Sequence, residues 1–405
     1  MVIWYISKYA SPVKYFFGTR HFYLAEEWVR LGHEVYVYTS NSSHLTESLP
    51  RFRGKALQEE INGVKAIWLN TFKSKGRSGL SRIISWFHFE WQLLTLKKRK
   101  GIAKPEVVIA SSLSLLSVLS GWWFSRKYGA KFVFEVRDIW PLTAIVLGGY
   151  SPNNPFMRFL SCVERFGYEH ANLVVGTIPN LVEHVRAVTP KQVRCICIPQ
   201  GLNTRFYEEN QEPLSKEFIE LMLPRDRFIL CYAGGVNTSN PLETLIASAR
   251  ILRETNPEIC FLIVGSGNRR SALEESASGL GNVLFSDPVK KSQVHDLLCR
   301  VNCCYDSCDG RLGKFGLSRN KWIDYMYAGK PIICSHDGFR SMINEAGCGS
   351  FVPYGDPVSL ADEIKKYASM DRQELERLGR RGREFLLENR TFEVLARQYM
   401  QEMNS

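Results

Sequence analysis

The sequence predicts an α/β protein with two successive parallel sheets, and three observations carry that prediction. Strand, glycine-containing loop, helix and strand follow one another within roughly the first forty residues, the order that a βαβ unit and hence a parallel sheet require. The alternation closes near Pro199 and restarts at Phe228, after a stretch containing Pro213 and Pro224. At 405 residues the chain is also long for one hydrophobic core, so two domains are the default.

Val2–Ile6 has the composition of a buried strand. A loop containing Gly18, a helix from about Arg20 to Leu31 and a strand at Val35–Tyr38 follow. This loop lacks the G-x-G-x-x-G pattern of a dinucleotide fingerprint. Residues 71–104 differ in character. Lys73, Lys75, Arg77, Arg82, Lys97, Lys98, Arg99, Lys100 and Lys104 stand against one acid, Glu90, and flank Trp86, Phe87, Phe89 and Trp91. That mixture fits an interfacial helix, with apolar area for the acyl boundary and cations for anionic headgroups. It also fits a core helix with basic ends. The uncharged run 107–124 reaches the length of a membrane span, but Ser111-Ser112 divides it into a buried strand and a helix from about Leu113 to Arg126. Phe132–Phe134 is another strand, ending in Glu135-Val136-Arg137-Asp138. Charges at the carboxyl end of a parallel strand stand where open α/β sheets bind ligands; a structural ion pair is the alternative for Arg137 and Asp138. A helix near 155–170 and strands at Leu173–Gly176 and Cys195–Pro199 close the first half.

Gln200–Arg225 reads as linker and short helix. The second series then runs strand Phe228–Tyr232, the Gly234-Gly235 loop, helix 241–254, strand Cys260–Val264 and the Gly265-Ser266-Gly267 turn. Helices 268–277 and 291–300 alternate with strands at 283–285 and up to Tyr305. The segment Gly313–Cys334 organises this half. Ser318 is placed to cap a helix, Trp322, Ile323, Met326 and Tyr327 give it one apolar face, and Gly329 with Pro331 ends it. Arg319, Asn320 and Lys321 crowd the helix start, with Asp324 one turn on. Free N–H groups, the helix dipole and two cations favour an anion there, and a carboxylate one turn further accepts bonds from vicinal hydroxyls. Phosphate and ribose would meet both needs; so would a solvated first turn with a Lys321–Asp324 pair. On these residues alone both readings stand. Residues 358–404 are helical, interrupted at Asn389–Thr391.

Hydrophobic content of 45% and charged content of 23% are those of a soluble globular protein. The net charge of +11 calls for a polyanionic partner: a membrane surface, nucleic acid or a phosphorylated ligand. Eleven cysteines, an odd number, and a start without signal-peptide character lead to the expectation of reduced thiols in a cytoplasm. His295, Cys299, Cys303, Cys304 and Cys308 lack a paired C-x-x-C, and Val301–Tyr305 reads as a buried strand, so no metal is expected there.

The runs Arg30–Val35, Phe132–Pro141, Ile198–Leu202, Tyr232–Gly234, Val264–Gly267 and Ser318–Pro331, in that order, resemble family 4 of the glycosyltransferases, in the branch that builds O-antigen and capsule. The resemblance implies the GT-B fold, two Rossmann-like domains facing a cleft. An acceptor domain over 1–199, a nucleotide-sugar domain over 200–387 and a C-terminal helix over 388–405 returning to the first would follow. It implies retaining transfer of a hexosyl or N-acetylaminosugar unit from a nucleotide-sugar, usually a UDP-sugar, with no cofactor or metal required. The implied acceptor is a saccharide on a polyprenyl diphosphate. The protein would then be cytoplasmic and peripheral on the inner face of the cell membrane, docked through 71–104, with no nucleic acid partner.

Residue by residue, Asp324 matches the second acid of the family's Glu-x7-Glu motif, implied to hold the ribose, while Gly316 stands where the first acid would be. The resemblance also implies donor contacts at Gly234, Gly235, Asn237, Gly265, Gly267, Val289, Asn320 and Lys330. Acceptor contacts are implied at Gly18 and Arg20. Arg319 and Lys321 are expected on the diphosphate, since Val236–Asn240 lacks the cation that relatives often place there. Arg137 occupies the place of a histidine in many relatives, and Asp138 matches the aspartate after it; the two are expected to orient the acceptor. A nucleotide-sugar epimerase of the same architecture is the alternative enzyme. A basic membrane- or nucleic-acid-binding protein with a degenerate nucleotide site is the alternative outside catalysis.

Overall fold

Two sheets, almost wholly parallel, carry the chain. The computed structural model describes residues 1–15, 19–43, 49–73, 79–96, 101–308 and 310–405. These form two compact units, Met1–Pro199 together with Phe392–Ser405, and Gln200–Thr391.

The first unit begins β1 (Val2–Ile6), α1 (Arg20–Arg30), β2 (Glu34–Ser40), β3 (Ala56–Ile61), β4 (Val64–Leu69) and α2 (Gly79–Leu94). It continues β5 (Val107–Ser111), α3 (Ser117–Tyr128), β6 (Lys131–Val136), α4 (Leu142–Val146) and α5 (Pro155–His170). β7 (Leu173–Gly176), α6 (Leu181–Val188) and β8 (Cys195–Cys197) close the series. The strands lie in the order β3-β4-β2-β1-β5-β6-β7-β8. Ile3, Tyr5, Val35, Val37, Val108, Ile109, Val174 and Val175 are all buried, because helices cover both faces of a parallel sheet and leave its strands apolar on both sides.

β3 pairs antiparallel with β4 at the edge, an element the strand patterns above did not include. Its connection is Asn62-Gly63, with φ of 50° and 80°, the two-residue turn whose twist matches a hairpin. The uncharged run 107–124 is β5, a turn and most of α3. Among the described residues no helix is long and apolar enough to cross a membrane. Trp86 and Phe89 of α2 are buried, whereas Phe87 and Trp91 are exposed. Lys75, Arg77 and the basic run 97–100 lie outside the described residues.

The second unit opens with α7 (Thr204–Glu209), α8 (Lys216–Met222), β9 (Phe228–Ala233), α9 (Glu243–Thr255) and β10 (Ile259–Val264). Next come α10 (Arg270–Ser276), β11 (Val283–Ser286), α11 (Val294–Cys299), β12 (Cys303–Ser307) and α12 (Gly310–Gly313). α13 (Asn320–Tyr327), β13 (Ile332–Ser335), β14 (Gly349–Val352), α14 (Pro357–Ser369) and α15 (Arg372–Asn389) complete it. The order β11-β10-β9-β12-β13-β14 reverses direction between β9 and β12. Ligands in open parallel sheets bind outside the carboxyl ends at such a reversal.

α16 (Phe392–Asn404) belongs to the first unit. It buries Leu395, Ala396, Tyr399 and Met400. Trp28 of α1 donates from Nε1 to the Ala396 carbonyl at 3.2 Å and meets the Tyr399 ring edge-on at 5.2 Å.

Candidate functional site

The carboxyl ends of β9 and β10 and one flank of α13 enclose a pocket of about 310 Å³ in the second unit. Gly234 and Gly235 form one wall, Gly265 and Ser266 another, and Pro288, Val289 and Lys291 a third, with Asp324 and Tyr325 projecting from α13. α13 is held there by its apolar side: Trp322, Ile323 and Met326 are buried. Tyr325, fully buried, accepts the Ala233 N–H at 3.0 Å through its hydroxyl. Asp324 is therefore fixed at the pocket wall, on the side of the helix away from the core.

Asp324 does not pair with Lys321. Its Oδ1 accepts from Lys291 Nζ and from the Tyr207 hydroxyl. Lys321 turns instead to Asp306, with Nζ 2.9 Å from Oδ1 and 2.9 Å from the Tyr232 hydroxyl. Arg319 grips the same carboxylate, Nε to Oδ2 at 2.9 Å and Nη2 to Oδ1 at 3.1 Å, and Nη2 also reaches Asn240 Oδ1 at 2.7 Å. Asp306, the last residue but one of β12, is wholly buried. Burial opposes its charge, but the two cations prevail and hold its carboxyl well below the usual carboxylate range. Burial draws the Lys321 ammonium below the usual lysine range, against the pull of Asp306. Two cations on one carboxylate leave the cluster with net positive charge, and Lys321 lies against Gly234, whose added Cβ would meet its Cε at 3.2 Å. The positive charge thus borders the pocket.

The glycines act through close packing more than through free N–H groups. A Cβ on Gly265 would fall 1.8 Å from the Gly234 carbonyl oxygen, and one on Gly267 would fall 1.9 Å from that of Val236. The Gly234 N–H donates to the Val264 carbonyl at 3.0 Å and is not free for phosphate. Asn237 Oδ1 is occupied within its own turn by the Ser239 N–H at 3.0 Å. Ser318 does not cap α13: Arg319 is the N-cap residue, without a side-chain capping bond, and Ser318 Oγ accepts the Gln200 N–H at 2.8 Å. Asn320 is exposed at the first position of the helix. Lys330 stands past the other end of α13, just before β13 and hence at the amino edge of the sheet. It does not line the pocket, because eight helical residues carry the chain about 12 Å away from the carboxyl edge. Gly316, in the position of the missing acid, has φ of 87°, a backbone that favours glycine.

In the first unit, Arg20 is buried, with Nη1 and Nη2 committed to structure and Nε without a hydrogen-bond partner among the described residues. It donates to the carbonyls of Pro199 and, at 2.7 Å, Ile198, and lies 3.5 Å from the buried Glu135. Its bonds to these carbonyls give Arg20 a structural part in the first unit, and Gly18 lies outside the described residues. Asp138 is anchored within its own loop, accepting from Thr143 Oγ1 at 2.6 Å and Trp140 Nε1 at 3.2 Å, and burial raises its carboxyl. Arg137 differs. Its Nε and Nη1 are shielded from solvent with no hydrogen-bond partner among the described residues. A guanidinium with two unpartnered nitrogens at the carboxyl edge of a parallel sheet is suited to an anion or a cluster of hydroxyls.

Asp306, Tyr232, Asn240, Lys291 and Tyr207 had not been singled out from the sequence. Asp306 alone left a signal, as an acid closing a buried strand at the carboxyl edge. Among the described residues no cluster of His, Cys, Asp or Glu could hold a metal ion.

Two family models match the chain: one described as glycosyl transferases group 1 over residues 227–369, and a glycosyl transferase 4-like domain over residues 18–201. A probable glycosyltransferase of Pseudomonas aeruginosa, WbjE, is 23% identical over 318 residues, covering 72% of each chain. A putative colanic acid biosynthesis glycosyl transferase of Escherichia coli, WcaI, is 22% identical over 290 residues, covering 69% of this chain and 70% of that one. Among solved structures, the sucrose-phosphate synthase of Thermosynechococcus elongatus has a TM-score of 0.72 at 19% identity, covering 100% of this chain and 98% of that one. Anabaena Alr3699/HepE in complex with UDP has a TM-score of 0.68 at 12% identity, covering 100% of both chains. WaaG, a glycosyltransferase involved in lipopolysaccharide biosynthesis, has a TM-score of 0.65 at 15% identity, covering 100% of this chain and 99% of that one.

Proposed function

Because the chain is a glycosyltransferase of family 4 type with the GT-B fold, we propose that it moves a hexosyl or N-acetylaminosugar unit from a UDP-sugar to a lipid-linked saccharide, with retention of configuration. The observation that carries this reading is the second-unit pocket, where a fixed carboxylate, Asp324, stands across from two glycine turns bordered by the Arg319–Lys321–Asp306 cluster. Asp324 would accept hydrogen bonds from the ribose hydroxyls, exchanging Lys291 or Tyr207 for them. The net positive cluster would face the diphosphate.

In the transfer, the bond between the anomeric carbon and the diphosphate oxygen breaks while a bond to the acceptor oxygen forms on the same face. The acceptor proton passes to the departing diphosphate. Negative charge grows on that leaving group, so preorganised cations are the largest catalytic contribution expected of the protein. Arg319 and Lys321 are preorganised because Asp306 already holds them; neither long side chain has to be ordered during the reaction. Arg137, with two guanidinium nitrogens uncommitted, would receive the acceptor on the first unit, and Asp138 would keep the Arg137 loop in shape.

The saccharide acceptor we infer is carried on a polyprenyl diphosphate, in O-antigen, capsule or other surface polysaccharide assembly. The protein then works at the cytoplasmic face of the cell membrane. Support comes from the +11 net charge and from the similarity to WbjE and WcaI. The test is thermal denaturation with a panel of UDP-sugars, followed by transfer assays with the stabilising donors. A ligand specific for the native state raises apparent stability. Absence of a shift with UDP and every UDP-sugar would overturn the donor assignment.

A further inference from the structure

α2 is attached by one face and leaves an apolar one open. Its inner face buries Trp86, Phe89 and Leu93, and the buried Glu90 accepts from Ser117 Oγ at 2.7 Å and from Ser120 Oγ, both on α3. On the outer face Leu80, Ile84, Phe87, Trp91 and Leu94 are between 43 and 70% exposed. Their spacing of four, three, four and three places them in one stripe, about 21 Å long at 1.5 Å per residue. Neighbouring helices extend it: Phe87 stacks on exposed Phe159 of α5 at 6.4 Å, and α3 exposes Leu119 and Trp123.

Cations stand over rings of this surface. Lys55 Nζ lies 5.3 Å from the Trp91 ring and Lys127 Nζ 4.5 Å from the Trp123 ring. The only acid of α2 is Glu90, which is buried, and α3 has none. Where the stripe ends at Leu94, it opens into a pocket of about 200 Å³ walled by Trp4, Tyr38, Leu93, Phe124 and Tyr128. Lys104 and Lys127 also line it and are exposed, which puts their ammonium groups at its mouth. An apolar chamber with two cations at its entrance, continuous with an exposed apolar stripe, is built for a hydrocarbon chain with an anionic head.

We propose that this pocket takes one acyl chain of an anionic phospholipid, with its phosphate on Lys104 and Lys127, while the α2 stripe rests in the headgroup layer of the bilayer. A phospholipid rather than the acceptor's own tail is the occupant because of the pocket's place in the fold. Its two cations, Lys104 and Lys127, stand just ahead of β5 and β6, at the amino edge of the sheet. Arg137 follows β6 at the other edge, about 20 Å away along six residues of strand. The proposal deepens the peripheral location given above and makes no use of the donor chemistry.

The test is flotation with phosphatidylcholine vesicles with and without phosphatidylglycerol, the latter carrying a photoreactive group along the acyl chain, followed by peptide mapping. Binding should need the anionic lipid, and label should reach Leu94, Ile102, Ala103 or Tyr128. Lys104→Glu and Lys127→Glu should each weaken binding about fivefold, equivalent to about 1 kcal/mol per cation near the surface. Phe87→Ser with Trp91→Ser should release the protein while its melting temperature stays unchanged. Label confined to the outer face of α2, or charge reversals without effect, would overturn the lipid pocket. Failure to bind anionic vesicles would overturn it too and point to an acidic protein surface instead. UDP-induced stabilisation, measured on the same samples, is independent: its loss would sink the transferase reading and leave the lipid site standing.

Discussion

Lys321 Nζ lies 2.9 Å from Asp306 Oδ1, so the cation at the start of α13 is bound to the end of β12 and not to its helical neighbour Asp324. The relationship ties the helix that carries the donor-site residues to the strand at the reversal of the sheet. It also changes what a substitution at Asp306 should do.

Asp306→Asn should destabilise the second unit by about 3–5 kcal/mol, because removing one partner leaves buried charge without compensation. The check is urea denaturation. Arg319→Lys in the otherwise unchanged chain should also destabilise, since an ammonium cannot reproduce the two-point grip of the guanidinium on Asp306.

Asp324→Ala should weaken UDP binding at least tenfold by calorimetry, a loss of about 1.4 kcal/mol or more, with little change in melting temperature. Tyr207→Phe removes only a competing donor to the same carboxylate and should leave UDP affinity within about twofold, a change of about 0.4 kcal/mol. Equal affinity in wild type and Asp324→Ala would remove that residue from the site.

Gly265→Ala should cost about 1–3 kcal/mol through overpacking, since its methyl group would have to displace the Gly234 carbonyl. UDP binding should fall with it. A variant of wild-type stability with intact binding would show that the two turns are not in register as described.

Arg137→Gln should lower kcat/KM for the acceptor by at least tenfold, about 1.4 kcal/mol of transition-state stabilisation, and leave the UDP-induced thermal shift unchanged. A proportional loss of donor binding would contradict an acceptor role.

Glu90 makes stability depend on pH. Burial pushes the Glu90 carboxyl up to about 7, above its ordinary 4.5. Between those values the folded state keeps a proton that the unfolded chain has released, so stability falls as pH rises from about 4.5 to about 7. The expected loss is on the order of 3 kcal/mol. Denaturation of wild type and Glu90→Gln across that range should show the slope in the first and not in the second.

Most of the parallel strands were legible because such strands are buried on both faces and read as unbroken apolar runs: Phe228–Ala233 and Ile259–Val264 needed no further signal. The parallel strands β4, interrupted by Lys65, and β14, with only Phe351 and Val352 apolar, were passed over. The β3–β4 hairpin was passed over although Asn62-Gly63 marks it. Ala56–Ile61 carries Gln58, Glu59 and Glu60 together, and an edge strand that is largely exposed has no buried pattern to display. At the site, the sequence brought forward α13 and its polar residues but not their partners. Which anion Lys321 meets depends on where β12 ends in space, and helical spacing alone pointed to Asp324. Arg20 shows the converse, because nothing in Thr19-Arg20-His21 announces that the side chain runs inward to the Ile198 and Pro199 carbonyls. The expectations for Lys75, Arg77 and 97–100 fall outside the described residues.

The placement of α16 has a consequence for how the polypeptide becomes a protein at all. Residues 1–199 lack the helix whose Tyr399, Leu395 and Met400 complete their core, and that helix is synthesised only after the whole of 200–391. On the ribosome the second unit has all of its own segments first. The first unit, though made earlier, must wait with Trp28 uncovered until α16 emerges. Chaperone demand during translation should therefore concentrate on the earlier-made half, and a nonsense codon near 390 should spare the fold of the later-made half while leaving the earlier one incomplete.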